Sequence, residues 1–124
     1  MIAIDSSSFI AYLEGADGED VHRVDFALEQ KQGVLPPVVL SELISDPKLR
    51  QTTQDLLLEL PLLEIQPGYW ERTGRLRSKL VARGLRTRLA DTLIAQSCID
   101  HDVGLITRDS NFQHYKKLGG LRLL

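Results

Sequence analysis

A single cysteine, Cys98, stands among the 124 residues, and no Cys/His cluster with zinc-ligand spacing surrounds it. An internal disulfide is impossible, which excludes a stapled secreted scaffold as well as a zinc finger and points to a reducing compartment. No stretch approaches the ~18 consecutive apolar residues that crossing a bilayer requires. The opening Met1-Ile2-Ala3-Ile4-Asp5 has no positively charged segment leading into a long apolar one, as a secretory leader would. A soluble, cytoplasmic protein with no membrane partner is expected. Excess charge of one sign is missing too. The net charge is only -2 at pH 7, so total charge gives no reason to expect a nucleic-acid partner.

What is present suffices for one core. With 43% of residues hydrophobic, a chain of this length buries about two thirds of its exposable surface on folding and needs no structural metal, so one domain over residues 1–124 is expected. The near-neutral total hides two opposed patches. Residues 14–29 hold Glu14, Asp17, Glu19, Asp20, Asp25 and Glu29 against Arg23, while residues 72–88 hold Arg72, Arg75, Arg77, Lys79, Arg83, Arg86 and Arg88 and no acid.

Short apolar runs alternate with helical stretches, the pattern of strand-helix units and a parallel sheet covered on both faces. Strands are expected at Ile2–Ile4, Val34–Leu35, Leu62–Ile65, Val103–Thr107 and Leu121–Leu124, where branched residues concentrate. Helices are expected at Ser7–Leu13, Asp20–Lys31, Val38–Ser45, Leu49–Leu60, Tyr69–Arg83 and Thr92–His101, with Pro37 near the start of the third and Gly33, Gly84 and Gly104 as helix stops. In such sheets ligands bind outside the carboxyl ends of the strands, where strand order reverses.

Two acids fall at that edge. Asp5 follows the first strand and Asp109 comes just after the fourth, although a helix cap is the more ordinary reading of either in isolation. Glu42 lies in Val38-Val39-Leu40-Ser41-Glu42-Leu43-Ile44, apolar enough to be largely buried, with a solvated stripe of Ser41, Glu42 and Ser45 as the alternative. Asp91, before Thr92, shares a face with Ile94, Ala95 and Cys98 and so points toward the buried side, or caps the helix from its first turn. Carboxylates gathered in one cleft repel unless a cation neutralises them, and a donor set of oxygens alone suits Mg²⁺ or Mn²⁺.

These residues carry a family resemblance that spans the chain. Ile4-Asp5-Ser6-Ser7, Leu40-Ser41-Glu42-Leu43, Ala90-Asp91-Thr92-Leu93-Ile94-Ala95 and Thr107-Arg108-Asp109-Ser110-Asn111-Phe112 resemble, in order, the four acidic motifs of PIN-domain ribonucleases, most closely the VapC-type toxins of toxin-antitoxin pairs. Thr92 stands where the family has a small apolar residue. The resemblance implies a three-layer α/β/α sandwich around five parallel strands in the order 3-2-1-4-5, which sets Asp5 and Asp109 near the switch point. It implies a metal-dependent endoribonuclease that inhibits translation, a cognate antitoxin partner and a homodimer. Mg²⁺ or Mn²⁺ held by Asp5, Glu42, Asp91 and Asp109 would lower the pKa of a bound water and offset charge on the transition state. Ser7 and Thr107 have hydroxyls able to orient a carboxylate or a water, a plain cap or strand-end role being the alternative. Asn111 offers the same, with a plain turn role as the more ordinary one.

RNA must approach an acidic site, and the basic segment before Asp91 supplies the attraction. Arg72, Arg75, Lys79 and Arg83 form one stripe of one helix, with Leu76 and Leu80 facing in. Arg86 and Arg88, past Gly84, are better placed for phosphate, so Lys79, Arg83, Arg86 and Arg88 are the expected RNA contacts, with an antitoxin peptide competing for the same groove. Cys98 reads as a core thiol, His22, His101 and His114 show no metal spacing, and Tyr69 and Trp70 more plausibly bury a helix start than stack on a base. A phosphoacceptor receiver domain shares the architecture but needs adjacent acids after the first strand, where Ser6, Ser7 and Ser8 stand. An Asp-x-Asp phosphatase fails at Ser7. The serious alternative is a PIN-like module that binds RNA or an antitoxin without cutting, which four intact acids oppose.

Overall fold

The computed structural model describes residues 1–124. It opens on β1 (Ile2–Ile4) and α1 (Ser6–Leu13), then α2 (Glu19–Glu29) and β2 (Gly33–Val34). Next come α3 (Pro37–Ile44), α4 (Gln51–Leu58), α5 (Tyr69–Val81), α6 (Leu89–His101), β3 (Gly104–Ile106) and α7 (Phe112–Gly119). The sheet is parallel, in the order β2-β1-β3, with Ile2 opposite both Gly33 and Gly104. Three of the five expected strands thus form ladders. The other two segments each make one parallel bridge, Leu35 with Leu62 and Leu105 with Leu123. Both lie beyond the ladders' outer edges. Leu62 follows Pro61, whose missing N–H limits pairing on that side, and Leu105 exchanges backbone bonds with Arg122 and Leu124 alone on the other.

The core is one cluster of 22 buried residues in which Ile4, Leu105, Ile106 and Val34 of the strands meet Phe9, Leu57, Leu80 and Ile94 of the helices. Each large side chain so buried contributes about 1.5–3 kcal/mol. Pro37 opens α3 at its first position, where a proline's missing N–H costs nothing. Two glycine expectations are corrected. The left-handed residues that end α2 and α6 are Lys31 and Asp102, whereas Gly33 and Gly104 lie within strands. Gly104 answers a different need: a Cβ there would stand 2.8 Å from the Leu124 side chain, so a larger residue would push Leu124 off β3.

The largest element absent from the sequence-based expectation is α7. It carries Phe112 and Tyr115 into the core and packs on α5 and α6. Helix α6 also begins three residues earlier than expected, with Arg88 at its N-cap, so Asp91 lies inside the first turn.

Candidate active site

The chain turns from β1 into α1 at Asp5, an N-cap by position but not by chemistry: its side chain makes no cap bond. Asp5 is 4% exposed, and its Oδ2 instead accepts from the hydroxyls of Ser7 and Thr107, each at 2.7 Å. Two hydroxyl donors compensate much of the cost of burying this carboxylate. Thr107 then accepts from the Asp109 N–H at 3.0 Å, so one hydroxyl ties Asp5 to the turn after β3. Asp109 Oδ1 accepts the Asn111 N–H at 2.9 Å. Asn111 thus enters through its backbone, and its side chain is exposed.

Ser6, Ser7 and Ser8 occupy the first turn of α1, where successive residues rotate by about 100°. They therefore face three directions and meet three carboxylates: Ser6 donates to Glu42 at 2.7 Å, Ser7 to Asp5, and Ser8 to Asp20 at 2.8 Å. Glu42 is a correction. It is exposed, with Ser41 and Ser45 beside it, so the solvated stripe holds and burial does not. The apolar residues around it, Val39 and Leu43, take the buried face of α3.

Asp91 is half-buried on α6. Loss of solvent pushes its carboxyl up to about 6, reinforced by the negative charges of Asp109, Asp5 and Glu42 and opposed by Arg88. Four segments distant in sequence thus place their acids in one field. No three of these side chains converge closely enough to form a ready-made ligand set. Behind Asp91, Thr92 is fully buried, donates to the Arg88 carbonyl at 3.1 Å and lies 2.9 Å from the Tyr115 hydroxyl. This pair braces the start of α6 against α7.

Arg108, between Thr107 and Asp109, faces away from them. Its Nε and Nη2 donate to Asp20 Oδ2 and Oδ1 at 2.8 and 3.0 Å, and Nη2 also reaches the Asp17 carbonyl at 3.1 Å. The guanidinium, together with Ser8, holds the Asp20 carboxyl down at about 2 despite desolvation. Gly18 makes room for this latch, since a Cβ there would lie 2.6 Å from Asp20 and 3.1 Å from Arg108. Sequence reasoning missed Ser8, Asp20, Arg108 and Tyr115. The usable signal was the acidic segment, which needed a cation from elsewhere.

The basic residues divide. Arg72 of the stripe is bidentate to Asp100, at 2.9 and 2.6 Å, and Lys79 donates to the Leu118 carbonyl at 2.9 Å. Both hold α5 to its neighbours, so Lys79 is engaged where a free contact was expected. Arg83, Arg86 and Arg88 are exposed and outside any ion pair. Tyr69 is buried and donates to the Leu93 carbonyl at 2.6 Å, while Trp70 is 63% exposed, against the expectation of burial. Cys98 is buried and its thiol pushed up to about 12, as befits an inert core residue.

The PIN domain family model matches residues 2–118. The chain belongs to the PIN domain family. No curated protein matches it in sequence. Its PIN fold is shared with chains of VapBC-1 from nontypeable Haemophilus influenzae, at a TM-score of 0.76 and 20% identity over 100% of this chain and 97% of that one. VapBC2 from Rickettsia felis, in a structure bound to a promoter DNA fragment, gives 0.72 and 22% over 100% and 98%. FitAcB from Neisseria gonorrhoeae gives 0.71 and 18% over 100% and 96%. No helix of this PIN domain is long and apolar enough to cross a membrane.

Proposed function

We propose that this PIN domain is a Mg²⁺- or Mn²⁺-dependent endoribonuclease, the toxin of a toxin-antitoxin pair that inhibits translation and is restrained by a cognate antitoxin. The proposal includes a homodimer and the family's three-layer sandwich, with five strands in the order 3-2-1-4-5 over residues 1–124. PIN domains are generally nucleases, and one solved structure that shares this fold, VapBC-5 from Mycobacterium tuberculosis, is of a member of the VapBC family of toxin-antitoxin systems. The observation that carries the reading is the hydroxyl bridge from Asp5 through Thr107 to the Asp109 turn, which organises two family acids without using Asp5 as a cap.

The residues suit a hard divalent cation. The donors are carboxylate oxygens only, both hydroxyls converge on Oδ2 of Asp5, and Asp91, raised first by loss of solvent, also feels the negative charges of Asp109, Asp5 and Glu42. Asp5, Asp91, Glu42 and Asp109 would hold the metal. A bound cation supplies an activated water and offsets charge developing on the phosphate. Ser7 and Thr107 fix the rotamer of Asp5, and Ser6 steadies Glu42 beside it. Arg86 and Arg88 attract the RNA backbone toward acids that would otherwise repel it.

The test is incubation of the purified protein with total cellular RNA in Mg²⁺, Mn²⁺ and EDTA, followed by sequencing of new 5′ ends. Discrete metal-dependent cuts should appear, and fall by at least ~100-fold in Asp5→Asn. RNA retained on a filter but cut in no metal would replace this reading with the non-cleaving binder.

A further inference from the structure

The end of α5, the residue that follows it and one face of α7 form a pocket lined by Arg83, Leu85, His114, Lys117 and Leu118. No acid lines it, and Arg83, His114 and Lys117 belong to no ion pair. His114 and Lys117, three residues apart, share a face of α7. Lys79 bonds the Leu118 carbonyl and so fixes the wall between the two helices. Gathering basic groups without a counter-charge is unfavourable for the free protein and favourable for an anionic ligand. The two leucines add an apolar wall of the kind a ribose or base lies against.

Both segments that line the pocket lead along the chain to a site acid. From Arg83 the chain runs through Arg86 and Arg88 to Asp91, and His114 follows Asp109 by way of the α7 N-terminus. The acids themselves repel a phosphate strand, so initial affinity must come from their flanks. We propose that Arg83, His114 and Lys117 form a binding pocket for a backbone phosphate of single-stranded RNA, outside the acidic centre and separate from cleavage. The proposal deepens the nuclease reading and rests on it only for the choice of RNA over an acidic peptide.

The decisive measurement is fluorescence anisotropy of a short fluorescein-labelled single-stranded RNA of mixed sequence, titrated with full-length protein in EDTA over a series of salt concentrations. Arg83→Ala and Lys117→Ala should each weaken binding roughly threefold to tenfold and reduce the slope of log affinity against log salt by about 0.7. Lys117→Arg should restore both, and Lys48→Ala, an exposed cation elsewhere, should change neither. Thermal melts confirm that these exposed substitutions leave the fold intact. An equal loss in Lys48→Ala, no loss in the pocket variants, or a polyglutamate peptide held by Arg83 and Lys117 while RNA is not, each overturns the pocket. Binding that depends on the pocket without cleavage in any metal refutes the nuclease and leaves the pocket standing. Cleavage with an unchanged KM in Lys117→Ala does the reverse.

Discussion

Arg108 and Arg83 are both exposed arginines in segments that lead to a site acid, yet they do opposite things. Arg108 donates to Asp20 through two nitrogens and to the Asp17 carbonyl through one of them. Arg83 belongs to no ion pair and lines a pocket with two other basic residues. Sequence position would favour Arg108 as the phosphate contact, because it is adjacent to Asp109. What decides is the partner. The acidic start of α2 claims Arg108, and no acid reaches the end of α5. The opposed patches of the sequence therefore play different parts: the acidic one fastens the Asp109 turn from outside, and the far end of the basic one, from Arg83 onward, stays available.

The largest effect that would break this contrast comes from Asp20→Ala. It removes the acceptor of Arg108 and of the fully buried Ser8 hydroxyl together, leaving one buried donor unpaired. A loss of about 2–3 kcal/mol is expected in urea unfolding. The pH dependence follows from the depressed carboxyl of Asp20. A folded-state value below the unfolded one contributes stability that is present above about pH 4 and lost as pH falls toward 2. Asp20→Asn should flatten that acid limb. If Asp20→Ala unfolds like the parent, the latch is a surface contact and the two arginines do not differ.

A smaller effect separates the two braces of the α6 start. Thr92→Ala leaves the buried Tyr115 hydroxyl without a partner and should cost about 1–3 kcal/mol. Tyr115→Phe should cost less, about 1 kcal/mol, because Thr92 keeps its bond to the Arg88 carbonyl. The order of the two losses, read by the same unfolding curves, is the discriminating result.

The same contrast shows what the sequence makes legible. The positions of Asp5, Asp91 and Asp109 were readable because strand ends and helix spacing place backbone, and the four acids lie in segments with strong patterns. Residues 112–119 were not read as a helix because they follow a turn and carry Lys116, Lys117 and Gly119 among few apolar residues, yet Phe112 and Tyr115 suffice to anchor them. Glu42 misled because α3 is apolar on average while its exposed stripe is narrow. Lys79 misled, and the part played by Arg108 went unread, because a cation's role depends on which oxygen reaches it through the fold. Local pattern carries no such information.

The acidic centre and the basic pocket are alike in one respect, since each crowds charge of one sign. For the acids this gives a signed prediction. Asp91 holds its proton more tightly in the folded chain than in the unfolded one, where a carboxyl titrates near 3.8, so stability declines as pH rises from about 4 through 6. At neutral pH in EDTA the folded protein bears the full cost of that charge, desolvation first and repulsion from Asp109, Asp5 and Glu42 second. Asp91→Asn removes it and should raise stability by about 1–2 kcal/mol, the smaller value allowing for solvent screening at a half-buried group. With Mg²⁺ the parent gains a ligand that the variant binds less well, so the advantage should shrink or reverse. The check is paired thermal melts of parent and variant, with EDTA and with Mg²⁺. A variant that melts lower in EDTA would mean the four acids do not share one field, and the likeness between the two charged regions would fail with it.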